Sequence, residues 1–333
     1  MKKKSTEIFE NAPIPKAVFL NIIPSIVSML MVLVYNLADT FFIGQTKNAL
    51  MVAAVSQATP AFLLFMAIGM LFGIGGTSLI SRLLGQGRKA EARKACSFCF
   101  WTGLGVGVVG MLAILIFNEP ISWLVGATES TIEYVRQYLV IVAFGVPFLI
   151  IGNVFSNVIR AEGSANKAMM GMILGNLTNI VLDPIMILTF GWNVAGAAIA
   201  TVLGNVVSAV FYISHFMGGK SELTISIREY QAKHQIATGV LAIGIPASLN
   251  SMLMSVSNVL INNLMKEYGD MSVAGLGVAM KVNMVAVMLL IGLGTGIQPL
   301  LGYNYGAGNR KRYKGILRFS LIFALCLSLV MTI

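Results

Sequence analysis

The chain is 333 residues long, 57% hydrophobic and only 11% charged, with a formal net charge of +10 and a mean hydropathy of +0.83. An ordinary soluble domain carries roughly 25% charged residues, so these figures exclude a soluble fold and specify an all-α integral membrane protein. The basic residues sit in short segments between apolar runs, where they orient spans in a membrane instead of binding nucleic acid.

Lys2, Lys3, Lys4 and Lys16 precede the first apolar run, which is too long for a signal-peptide core, and no processing is expected. That run includes Ile22 to Gly44, long enough to span a bilayer, yet it carries a carboxylate, Asp39. A charge in a spanning helix costs at least about 2.5–3.5 kcal/mol on insertion scales, which marks an intramembrane acid as a functional-site residue facing a bundle interior. Tyr35 and Asn36 lie four and three residues before Asp39, so a helix puts all three on one face. Pro24, in the same span, predicts a kink.

Runs of eighteen or more apolar residues predict nine spans, at 17–43, 50–80, 95–117, 137–159, 168–190, 194–217, 236–265, 271–303 and 316–333. The N-terminus and the even-numbered connections hold 19 of the 23 lysines and arginines. This asymmetry places the N-terminus in the cytoplasm of a multi-pass protein of the plasma membrane. Lys47, Arg136, Lys266 and Lys281 are the exceptions.

Cys96 and Cys99 open the third span as a Cys-x-x-Cys pair, with Cys326 elsewhere. No second pair or nearby histidine completes a four-ligand metal site, and passive thiols are expected. With only His215 and His234 in the chain, histidine catalysis has little to draw on, and no enzyme activity is expected.

The sequence repeats. Ile23-Pro24 recurs as Ile245-Pro246, a shift of 222, and Gly73, Gly75, Gly85 and Gly87 meet Gly294, Gly296, Gly306 and Gly308 at a shift of 221. Each glycine group is followed by a basic loop. A repeat holding six spans re-enters the membrane from the same side, so the copies are parallel, related by an axis along the membrane normal. The expected organisation is a six-helix lobe over 1–222, including the start of a cytoplasmic linker, and a second lobe over 223–333 holding spans seven to nine. Ile333 then corresponds to a position inside the third span of the first copy, so the natural reading frame is expected to continue for about 110 residues, giving about twelve spans.

Asp183 is a second intramembrane acid. Asn176, Asn179 and Asp183 follow i, i+3, i+7 and make one polar stripe on an otherwise apolar helix. Similar stripes are Asn153, Ser156, Asn157 and Arg160 in the fourth span, Thr201, Asn205 and Ser208 in the sixth, and Ser251, Ser255, Asn258 and Asn262 in the seventh. Ser, Thr and Asn also tie helix to helix, but the first six spans hold no lysine or arginine at the depth of the two acids to neutralise them. Gly73-Ile-Gly-Gly and Gly292-Leu-Gly-Thr-Gly lack the Lys-Ser/Thr ending of a phosphate loop and suit close helix packing. Lys281, inside a span, reads as a functional cation or a snorkelling one. Twenty methionines suit either an adaptable ligand surface or lipid-facing filler.

Tyr35-Asn-Leu-Ala-Asp-Thr-Phe-Phe-Ile-Gly, the Gly85-Gln-Gly-Arg-Lys loop, Arg160-Ala-Glu-Gly, Asn179-Ile-Val-Leu-Asp-Pro and Gly196-Ala-Ala-Ile-Ala-Thr together resemble the multidrug and toxic compound extrusion (MATE) transporters, in particular their MepA-like branch. The resemblance runs over the whole chain. It implies a two-lobe bundle of parallel six-helix repeats around a central cleft, the second lobe incomplete, with about nine of twelve spans present. It also implies efflux of organic cations and amphipathic drugs in exchange for H+ or Na+, from a monomer among membrane lipids, with no cofactor beyond the coupling ion. By resemblance the cation site falls on Asp39, Asn179, Asp183 and Thr201, the two acids being the Na+ ligands. Tyr35, Asn36, Asn153, Asn157 and Asn176 support it or line the cleft. Two other readings compete. A lipid-linked saccharide flippase of the same superfamily calls for a cleft richer in arginine and lysine, and an intramembrane aspartyl protease calls for Gly-x-Gly-Asp and Pro-Ala-Leu motifs that the chain lacks.

Overall fold

The computed structural model describes residues 7–46, 49–219, 221–265 and 270–332, less the side chains at 49, 255, 256, 258, 259, 262, 263, 265, 270–278, 281, 282 and 332. The expectations for Ser255, Asn258, Asn262 and Lys281 fall outside the described residues.

Among the described residues the chain is all-helical: α1 Glu7–Asn11, α2 Ile14–Gly44, α3 Ala49–Gly85, α4 Lys89–Ile116, α5 Asn118–Leu124, α6 Ile132–Ala161, α7 Ala165–Asp183, α8 Asn193–Met217, α9 His234–Met265, α10 Asp270–Gly306 and α11 Arg310–Thr332. A π-helical turn, Pro184–Thr189, extends α7. Nine of these helices are long and apolar enough to cross a membrane, and they coincide with the nine expected spans. They overrun those spans at the ends. α3, with 37 residues, reaches about 55 Å at 1.5 Å per residue, well beyond a ~30 Å hydrocarbon core. α2 runs unbroken through Pro24, which lies inside it.

The helix ends carry the repeat. Gly87 and Gly308 have φ of +74° and +70°, the left-handed conformation that glycine adopts without steric penalty. Each closes its helix in the same way: Arg88 N–H reaches the Leu83 carbonyl at 2.9 Å, and Asn309 N–H reaches that of Asn304 at 3.0 Å. Those two pairs are 221 residues apart.

α6 is the hub of the first six spans. Apart from its ends and the stripe from Asn153 to Arg160 it is apolar, and it is buried on most faces, as a helix in the middle of a bundle must be, with α3, α4, α7 and α8 packed around it. α9 lies along α3, while α10 lies against α2 and α3. At the shared end α3 and α10 meet backbone to backbone. A Cβ at Gly306 would collide with the Arg82 carbonyl, as one at Gly85 would with that of Tyr303.

Two peripheral segments are tied to this end. Arg312 of α11 donates to the carbonyls of Phe9 at 2.7 Å and Ala12 at 2.6 Å, holding α1 with Phe9 fully buried. The linker after α8 lies along α4, whose side chains donate to its backbone: Arg93 to Glu222 at 2.9 Å, Ser97 to Ser226 at 2.8 Å and Trp101 to Ile225 at 3.0 Å.

Candidate functional site

α2, α6, α7 and α8 bring the intramembrane polar groups together. Asp183 is the last residue of α7, where Pro184 starts the π-helical turn. Proline has no N–H to offer the preceding turn, and wide turns of this kind often stand at functional sites. Asp183 is fully buried, and neither of its carboxylate oxygens has a hydrogen-bond partner among the described residues.

One turn earlier Asn179, also buried, donates its amide N–H to the Thr201 hydroxyl of α8 at 3.2 Å. The Asn179 carbonyl oxygen is left without a partner. Asp39, half-buried on α2, is the charge that Asp183 senses. Tyr35, one turn before Asp39, pairs with Thr201 and senses both acids. Tyr138 of α6 faces the same three groups, Tyr35, Asp39 and Asp183. The sequence reading missed Tyr138, since a tyrosine near a span end is ordinary interfacial furniture; only its spatial neighbours single it out. An apolar cluster of Ile43, Ile187 and Ala197, backed by Phe42 and Val55, packs beside this set.

Buried polar groups are normally hydrogen-bonded. Here three acceptor oxygens, two on Asp183 and one on Asn179, are buried without donors. These three oxygens suit a proton or a hard cation such as Na+, while the Asn176 amide nitrogen on the same stripe is a donor likewise buried without a partner among the described residues. Transition metals are a poor fit, because among the described residues no group of three or more His, Cys, Asp or Glu side chains converges. Cys96 and Cys99 are free thiols buried in the core.

Adjoining the acids is a cavity of about 390 Å³. Tyr35, Asn36, Asn153, Asn176, Asn179 and Thr201 line it, as do Ser156, Asn205, Ser208 and Tyr212 from the expected stripes and beyond. Met66, Met172, Met284 and Met288 supply polarisable apolar wall. Among the described residues no charged side chain is in the wall, so these residues offer amides, hydroxyls, thioethers and rings to a ligand, with the acids just beyond. Asn157 is placed differently: its amide donates to the Asn153 carbonyl at 2.9 Å, and it packs against Gly73 of α3. Arg160 lies one turn below Ser156, buried.

Comparison with known proteins gives the family and the fold. The MatE family model matches residues 24–185 and again 246–333, the two matches opening at Pro24 and Pro246. The multidrug export protein MepA of Staphylococcus aureus (strain NCTC 8325 / PS 47) is 31% identical over 338 aligned positions, covering 100% of this chain and 75% of the relative. A MATE crystal structure in complex with MaL6 superposes with a TM-score of 0.94 at 27% identity, over 99% of this chain and 73% of that one. An outward-facing multidrug resistance MATE transporter of the MOP superfamily superposes with a TM-score of 0.90, again at 27% identity, over 99% and 73%.

Proposed function

Because the chain belongs to the MatE family, a family of membrane transporters and not of enzymes, we propose that it is a secondary active multidrug exporter, trading organic cations or amphipathic drugs for H+ or Na+. The observation that carries the reading is the buried, donor-free oxygen set of Asp183 and Asn179 beside a cavity walled by amides, rings and methionines.

Asp39 and Asp183 titrate as a pair, so their protons belong to both. Filling the set with protons or with Na+ removes negative charge from the edge of the cavity, and with it the attraction for a bound organic cation. Ion and drug therefore compete through charge, and each is favoured in the access state that binds it better. Tyr35 joins the two halves of the exchange, since it lines the cavity and pairs with Thr201. The N-terminus and the Gly85–Lys89 end are cytoplasmic, by the distribution of lysine and arginine, in a monomer of the plasma membrane. The division into units 1–222 and 223–333 is supported by the matching turns at Gly87 and Gly308.

The test is ethidium efflux from proteoliposomes under imposed proton or Na+ gradients. Asp39→Asn and Asp183→Asn keep the side-chain shape and remove the charge, and each abolishes gradient-driven efflux while the protein stays inserted and folded. Wild-type rates in both variants would remove this site as the coupling centre.

A further inference from the structure

Arg160 is among the most deeply buried side chains of the protein, at 2% exposure. One guanidinium nitrogen, Nη1, donates to the Ser156 carbonyl at 2.8 Å, while Nε and Nη2 have no hydrogen-bond partner among the described residues. Arg160 is in none of the ion pairs found among the described residues. The group it senses is the phenol of Tyr212, itself donated to the Ala168 carbonyl at 2.7 Å. A buried guanidinium with neither counter-ion nor full hydrogen bonding is expensive to keep, which directs attention to what its charge does.

Its position answers that. Tyr138, beside the acids, and Arg160 are 22 residues apart on the single helix α6, or about 33 Å along its axis. Between them Asn153 and Ser156 line the cavity, and Tyr212 lines it beside the guanidinium. Beyond Arg160, toward the end bearing the α3–α4 turn, lies a chain of groups able to carry protons. Glu162 bonds the His215 imidazole at 2.6 Å, His215 meets Lys167 at 2.9 Å, and Ser221 of the linker donates to the other Glu162 oxygen at 2.6 Å. Hydroxyls and amides thus stand on one side and an acid–imidazole–amine relay on the other, with one fixed positive charge between them.

We propose that Arg160 is a cation barrier: its guanidinium stops protons and Na+ that reach Asp39 and Asp183 through the cavity from running on to the Glu162–His215 end without a cargo. A fixed positive charge repels cations by electrostatics alone, and the lack of an ion-pair partner among the described residues is what leaves its field unquenched. The inference rests on the ion-coupled reading above.

The experiment measures ion leak in the absence of drug, with the purified chain in proteoliposomes under an imposed proton gradient or, separately, a Na+ gradient. Wild-type protein and Arg160→Lys hold the gradient. Arg160→Met, neutral and of similar length, dissipates it about tenfold faster, and adding Asp183→Asn to Arg160→Met restores tightness because the leak passes through the acids. Arg160→Gln gives the same two readings if the methionine variant does not fold. A neutral variant as tight as wild type overturns the proposal, and so does a leak that persists in the double variant. A wild-type chain without ion-driven ethidium efflux, in which the Arg160→Met leak is still blocked by Asp183→Asn, removes the exporter reading and leaves the barrier standing.

Discussion

Gly85 of α3 sits so close to Tyr303 of α10 that a Cβ on the glycine would run into the tyrosine carbonyl. The contact has a mate with the helices exchanged under the 221-residue shift, where Gly306 stands against the Arg82 carbonyl. Two helices that touch through reciprocal glycines form a closed end with backbone on both sides, and neither backbone can yield as a flexible side chain would.

A leucine at either position must therefore push α3 and α10 apart. Gly85→Leu and Gly306→Leu are each expected to cost about 1–3 kcal/mol, seen as a lower melting temperature in detergent. Gly105→Ala is the control. A Cβ at Gly105 meets nothing within 4 Å, and replacing a helical glycine by alanine is neutral or stabilising by up to about 1 kcal/mol.

At the ion site, Thr201 is both the acceptor of the Asn179 amide and a partner of Tyr35. Thr201→Val keeps the shape and deletes the hydroxyl, leaving the Asn179 amide without its acceptor, a loss worth about 1–3 kcal/mol. Half-maximal ion concentration for efflux is expected to rise about tenfold, with the maximal rate retained. An unchanged ion dependence would place the ion away from this pair.

The Glu162–His215 pair, with both side chains 5% exposed, ties α8 to the connection after α6, and through Ser221 it also holds the linker. Removing one partner of such a buried hydrogen-bonded pair costs about 1–3 kcal/mol. Glu162→Leu is expected to lower the melting temperature and to expose the linker to trypsin at Arg228 and Lys233. Ser221→Ala, which deletes only the bond that the linker hydroxyl donates to Glu162 and the one it accepts from the Leu223 N–H, is expected to speed the same cleavage with a much smaller thermal shift.

How much of this was legible in the sequence depends on the range of the interaction. The nine spans are local, since each is an apolar window, and they were readable; so were Asp39 and Asp183, because a carboxylate in such a window is conspicuous by itself. The glycines at 85 and 306 were readable as repeat partners, but the close approach of each to the other helix joins segments more than 200 residues apart, which periodicity does not encode. α1 was read only as part of a basic N-terminus, for its five residues carry too little pattern, and it is fixed by Arg312 from the far end of the chain. The π-helical turn after Asp183 left only Pro184 as a trace. Asn157 satisfied the stripe pattern of the fourth span, yet it packs against Gly73 and does not line the cavity, because i, i+3, i+4 spacing selects a face broader than the cavity it borders.

Tyr138 offers a test of whether the acids act through their neighbours. Its phenol faces Tyr35, Asp39 and Asp183 from α6, the helix that packs against both α7 and α8. Tyr138→Phe removes the hydroxyl and leaves the ring, so packing and stability should change by less than about 1.5 kcal/mol. If the hydroxyl helps to hold the ionised pair or its bound ion, ion-driven ethidium efflux is expected to need about five- to tenfold more coupling ion, the equivalent of one hydrogen bond. A double-mutant cycle separates this from a packing effect. Added to Thr201→Val, which deletes a hydroxyl of the ion site and leaves both acids in place, Tyr138→Phe should change ion dependence much less than it does alone, giving a coupling energy of about 0.5–3 kcal/mol. Additive effects would show that Tyr138 shapes the helix contact and leaves the ion to Asp39, Asn179, Asp183 and Thr201.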